Sequence, residues 1–73
     1  MTNQRLIEFL FKTGFRLKMN IDINSTIGEI KNLLKKEHLQ YVDVNLIEFI
    51  SLGRKLTNEE IIESNISLLA VIF

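Results

Sequence analysis

No cysteine and no proline occur in the 73 residues, and only three glycines and one histidine do. The absence of cysteine removes a disulfide framework, a thiolate nucleophile and the usual structural zinc ligands together, so packing alone must hold the chain. It also leaves oxidising and reducing compartments indistinguishable from composition. Nine basic residues balance nine acidic ones. A formal charge of zero supplies no long-range field toward phosphate backbones or anionic lipid, so neither nucleic acid nor a membrane is expected as a partner. The longest apolar stretch, Ile66 to Phe73, is broken by Ser67 and is far too short to cross a bilayer. With no signal peptide visible, an intracellular location, cytoplasmic or nuclear, is the expectation.

Equipment for catalysis is equally scarce. His38 falls near a predicted helix C-terminus, where imidazole favours solvent and the last carbonyls over a substrate. Glu59 and Glu60 are adjacent acids at a predicted helix start, where the macrodipole accounts for them without proton-transfer chemistry. No Gly-rich phosphate loop, metal-spaced ligand set or nucleophile motif is present. The chain is therefore read as a non-enzyme with no catalytic residue, metal ligand or cofactor. Lys31, Lys35, Lys36 and Lys18 read as a solvated surface and not as a nucleic-acid patch, because no aromatic side chains interleave them.

What is present is a well-patterned chain, 47% apolar and 25% charged, a balance that supports one modest core and one domain over residues 1–73. From Arg5 to Phe11 apolar residues alternate, with Ile7, Phe9 and Phe11 on one face and Leu6, Glu8 and Leu10 on the other. Lys12-Thr13-Gly14 supplies a turn, and Phe15, Leu17, Met19, Ile21 and Ile23 then alternate with polar residues, so a hairpin is predicted. The period changes after Asn24. Thr26 and Glu29 fit a capping box, and Ile27, Ile30, Leu33 and Leu34 follow at helical spacing to a predicted end near His38.

Leu39 to Asn45 reads as a loop in which Leu39, Tyr41, Val42 and Val44 plug the space under the helix. Leu46 to Ser51 is a strand, Leu52 to Leu56 a turn into a short extended piece, and Asn58 to Glu63 a helical turn opened by Thr57 and Glu60. Ile66 to Phe73 is a final strand whose composition suits a central place in the sheet. Hairpin, helix, strand, short turn and strand make an α+β fold with the helix across one face of a mixed sheet, the β-grasp.

Over nearly all of Arg5 to Phe73 the sequence resembles the ubiquitin-like family. The likeness is carried by the Lys12-Thr13-Gly14 turn, by Leu17, Met19 and Ile21, and by Ser25-Thr26-Ile27 with Ile30, Lys31 and Leu34. It continues through Phe49-Ile50-Ser51-Leu52-Gly53-Arg54-Lys55-Leu56 and Ile61-Ile62-Glu63-Ser64-Asn65-Ile66. The loop around Leu39 to Val44 is longer than the family's, and the turn before the last strand is shorter.

The resemblance implies recognition through an exposed apolar patch on the sheet, centred on Ile50 and flanked by Leu69 and Val71. Lys12 stands at the patch's first-turn position, Glu48 reverses the sign of its basic rim, and Arg54 completes the implied protein-binding set. A second family surface is matched at Glu8, which disfavours it. Lys31 matches a helix lysine at the edge of the core and is expected to pair with Asp43 or Glu48. As written, the sequence ends at Phe73 without Gly-Gly, which implies a module that is not conjugated. That module is a stand-alone protein or a segment of a longer chain, with partners among ubiquitin-pathway receptors or splicing factors. Two alternatives remain: a structural subunit of an oligomer built through Leu6, Leu10 and the last strand, or a truncated modifier. A monomer is the expected state.

Overall fold

Alternation builds the first hairpin. In the computed structural model, which describes residues 3–73, β1 (Gln4–Phe11) and β2 (Arg16–Asp22) pair antiparallel in unbroken register, from Gln4 opposite Asp22 to Leu10 opposite Arg16. Met1 and Thr2, the start of the domain read from the sequence, lie outside the described residues. Ile7, Phe9, Phe11 and Ile21 point to one side and are buried, while Leu6, Glu8 and Leu10 take the other, as a period of two requires. Phe11 and Phe15 close the loop with a 2.8 Å backbone bond, and the N–H of Gly14 returns to the Phe11 carbonyl at 2.9 Å. Gly14 has φ of +93°, which a three-residue hairpin loop of this kind asks of its last residue.

α1 (Ile27–His38) starts where the capping box was expected. The Thr26 N–H donates to Glu29 Oε1 at 2.9 Å, and the Glu29 N–H donates to Thr26 Oγ1 at 3.3 Å. Two further helix-start donors find carbonyls in the chain that precedes the last strand: Ile27 N–H reaches Glu60 O at 2.7 Å and Gly28 N–H reaches Asn58 O at 3.0 Å. The free donors of a helix start are thus met by tertiary partners as well as by the cap. Ile27, Ile30 and Leu34 are buried against the sheet, and their spacing places them on one helical face.

The connection after α1 differs in part from its sequence reading. Leu39 and Val42 do pack against the core, but Tyr41 is fully exposed. The loop is held from its polar side instead, by Lys35 Nζ donating to the carbonyls of Gln40 at 3.2 Å and Val42 at 2.6 Å. A 3-10 turn at Val44–Leu46, capped by Asp43, then delivers Ile47 into the core.

β3 (Glu48–Ser51) and β4 (Arg54–Lys55) are joined by Leu52 and Gly53, whose φ values of +53° and +77° define a two-residue turn of the primed type. No helix forms over 58–63. A turn closes there through the Glu60 N–H on the Thr57 carbonyl, and Glu60 spends its carboxylate on the Thr57 N–H at 2.6 Å and on Arg54. The capping chemistry is present, but the backbone of Ile61 leaves to bridge with Thr26, so the turn does not propagate.

β5 (Leu68–Ile72) takes the central position, in the order β2-β1-β5-β3-β4, parallel to β1 and antiparallel to β3. The core lies between this sheet and α1, with the Phe9 and Phe49 rings tilted against each other at 5.6 Å. The architecture is the α+β β-grasp that the element order predicts.

Candidate functional site

α1 covers one face of the sheet, and among the described residues no element covers the other. Which residues occupy that open face follows from pairing. Leu10 lies beside Ala70 across β1 and β5, and Ala70 lies opposite Ile50 across β5 and β3. Paired residues share a side of a sheet, so Leu10, Ala70 and Ile50 form a row across three strands, all half-buried. Leu68 and Leu52, exposed at 44% and 89%, extend the row into a depression of about 400 Å³ walled by Asn65 and Ser67. Ala70 at the centre is the smallest of these side chains and leaves the hollow. A second hollow of about 320 Å³ lies between Leu10, Lys12 and Ile72.

The structure corrects the patch read from sequence. Leu69 and Val71 are buried at 0% and 1% exposure and face α1. Val71 pairs with Phe49 and Leu69 with Phe9, both core residues, so the last strand is displaced by one position relative to the sequence match. A one-residue slip exchanges the two faces of a strand. The outward residues of β5 are Leu68, Ala70 and Ile72.

Ile50 lies on the open face, half-buried between Ala70 and Lys55, and Lys12 is exposed in the first turn at the rim of the second hollow. Glu48 also faces out, but it is engaged by Lys55 Nζ at 2.8 Å, so the rim of β3 carries a neutralised pair. Arg54 does not join the face. It pairs with buried Ser51 and its guanidinium clamps Glu60 with two bonds of 3.1 and 2.7 Å. That clamp, with the Thr57 N–H, holds the Glu60 carboxyl down at about 2 and raises Arg54 above its ordinary value. Glu8, on the disfavoured surface, is half-buried and bridges to Arg16 at 3.5 Å.

Lys31 is buried as expected, but with another partner. Its Nζ donates to Asn58 Oδ1 at 2.7 Å and stands 6.0 Å from the centre of the Phe49 ring, and neither Asp43 nor Glu48 bridges to it. Burial lowers its pKa, with the charge of Glu48 acting the other way. Among the described residues no cluster of three acidic or histidine side chains is placed to hold a metal ion, and no helix is long and apolar enough to cross a membrane.

Leu68, Ala70 and Leu52 are the members of the face that sequence reasoning missed. Pairing finds Ala70: once Glu48 and Ile50 are placed outward on β3, the residues opposite them on β5, Ile72 and Ala70, must be outward too, and alternation along β5 then adds Leu68, whereas Leu52 lies in the turn and follows from neither.

These elements and this sheet order define the chain as a ubiquitin-like β-grasp fold. No family model and no curated protein matches the sequence. Among solved structures, it is similar to the solution structure by NMR of the ubl5 domain from the polyubiquitin locus of T. thermophila. The TM-score is 0.79 at 17% identity, over 93% of this chain and 90% of that one. At that identity the likeness shows the fold, one that is generally non-enzymatic.

Proposed function

We propose that this chain is a non-catalytic ubiquitin-like interaction module, an adaptor or reader whose open sheet face receives a partner protein. The observation that carries this reading is the uncovered apolar row Leu10, Ala70 and Ile50 with Leu68 and Leu52 beside it, a contiguous patch with its own hollow. Large exposed apolar patches on small domains mark interaction surfaces. The shape suits the apolar face of an amphipathic helix, which seats spaced anchors in such a groove. The structural likeness to a ubl domain of a polyubiquitin locus favours receptors of the ubiquitin pathway as the partner class.

The test is a titration of 15N-labelled protein with helical ubiquitin-receptor segments, followed by amide shifts. Perturbations are expected at Leu10, Ile50, Leu68 and Ala70, and Ala70→Arg should abolish them while leaving the thermal midpoint unchanged. Perturbations confined to α1, or binding that survives Ala70→Arg, would overturn the reading.

A further inference from the structure

Among the described residues the sheet has one long uncovered edge. β2 ends the order on one side and spans seven residues, whereas β4 on the other side spans two. The backbone bonds of the hairpin fix which amides of β2 are free. Phe11 N–H bonds to Phe15 O and Ile23 N–H bonds to Asn3 O, so odd-numbered residues of β2 turn their amides inward to β1. Arg16, Lys18, Asn20 and Asp22 turn theirs outward to the open edge. Proteins usually protect such an edge with proline, a bulge or a covering segment. Here the register is unbroken and the chain has no proline.

We propose that this edge binds a second copy of the chain, β2 against β2, in an antiparallel two-fold arrangement centred on Met19. Only even-numbered residues can form the hydrogen-bonded pairs, so the register can shift only in steps of two on the partner strand. The centred register sets Arg16 opposite Asp22, Lys18 opposite Asn20 and Leu17 opposite Ile21. It also sets Phe15 opposite Ile23, side chains that are 60% and 47% exposed in the single chain. Opposite charges and apolar pairs directly across a strand pair are the favourable combinations. One step in one direction places Lys18 against Lys18. One step in the other sets Lys18 opposite Asp22, but it leaves Arg16 opposite Asn24 and Phe15 opposite Ser25, so the most exposed aromatic of the edge loses its apolar partner. The Asp22 carbonyl already accepts from the Ser25 N–H at 3.0 Å and its carboxylate from the Asn24 N–H at 2.8 Å, while Arg16 reaches Glu8 at 3.5 Å, so the outermost pairs contribute chiefly through the Asp22 N–H and the longer-range attraction of the two charges. Pairing consumes both long edges and leaves two-residue β4 edges outside, so the assembly closes as a dimer and does not propagate. This edge borders the open face, with Arg16 beside Leu10, and the backbone edge of β2 replaces Leu6, Leu10 and the last strand as the contact through which an oligomer forms.

Sedimentation velocity over a concentration series up to millimolar tests the pairing. Wild type should move from monomer to dimer, and a monomer throughout would overturn the proposal. Arg16→Asp and Asp22→Arg should each weaken association by about tenfold or more, because attraction becomes repulsion at two symmetry-related pairs. An equimolar mixture of the two variants restores opposite charges at both positions and should associate like wild type. A mixture no tighter than its components would overturn the register. Asn20→Pro supplies an independent check, since it deletes an outward N–H and leaves the bonds to β1 intact. It should abolish dimerisation with the monomer still folded by amide dispersion, and a folded variant that still dimerises would overturn the edge assignment.

Discussion

Leu52→Asn should make the protein more stable while weakening its open face. Leu52 has φ of +53° and precedes Gly53 at +77°, so both central residues of the β3–β4 turn are left-handed. An ordinary L side chain held there costs about 1–2 kcal/mol, whereas asparagine tolerates the conformation through its short polar side chain. Asn-Gly is the preferred pair for this turn. Little packing is lost in exchange, because Leu52 is 89% exposed. Relief of about half the strain gives roughly 0.5–1 kcal/mol, which for a domain of this size raises the thermal midpoint by about 3–6 °C. Calorimetry and urea unfolding measure both quantities. An unchanged or lower midpoint would refute the reasoning, because it would mean that the leucine is unstrained or that its side chain stabilises the fold. The same substitution should weaken receptor binding, since strain retained at an exposed apolar residue belongs with a site that uses it.

Leu69→Ala should cost about 2–5 kcal/mol in urea unfolding, as a buried leucine does, while Leu68→Ala should stay within about 0.5 kcal/mol; the reverse order would return Leu69 to the surface. Thr26→Ala should cost about 1 kcal/mol by removing the cap of α1, read by the same unfolding curves. Glu60 has a folded-state pKa of about 2 against an ordinary 4.5, so its contribution to stability is complete above the ordinary value and disappears as pH falls through about 2. Acid unfolding of Glu60→Gln should lack that component. Lys31 has a lowered folded-state pKa. The unfolded chain therefore binds more protons than the folded one in the alkaline range, and stability should rise with pH toward the ordinary lysine value. Lys31→Met should remove that rise in denaturant melts recorded against pH.

The parts of the fold that were legible in the sequence are those where one face of an element is polar. β2 alternates Arg16, Lys18, Asn20 and Asp22 with apolar residues, and α1 opens on a capping box and ends in lysines, so period and boundary were both written locally. β5 is Leu68-Leu69-Ala70-Val71-Ile72, with no polar residue to say which side is wet. Its orientation is decided by its neighbours: Phe49 and Phe9 are large and buried, and their partners Val71 and Leu69 are buried with them. The site was therefore legible at Ile50, where Glu48 marks the outward side, and illegible on β5. The 58–63 segment failed for a related reason. Thr57 and Glu60 carry a helix-start signal, but the tertiary bridge between Thr26 and Ile61 redirects the chain after one turn.

Edge pairing and face binding have a joint consequence. In the antiparallel register centred on Met19, residues directly opposite project to the same side, so the two-fold axis stands perpendicular to the sheet and both open faces look the same way. A partner carrying two receptor helices then meets two sites on one rigid body, and its second contact is intramolecular. A single helix gains nothing from this geometry. The comparison is therefore between one helix and two tethered helices, each measured against wild type and against Asp22→Arg. The single helix should bind both proteins equally, because Asp22 pairs with Gln4, at the opposite end of β1 from Leu10. The tethered pair should bind wild type at dimer-forming concentrations at least about tenfold more tightly than it binds Asp22→Arg. Equal avidity for the two proteins would separate the ideas: the face would stand as a binding site, and the edge would not be what gathers the sites together.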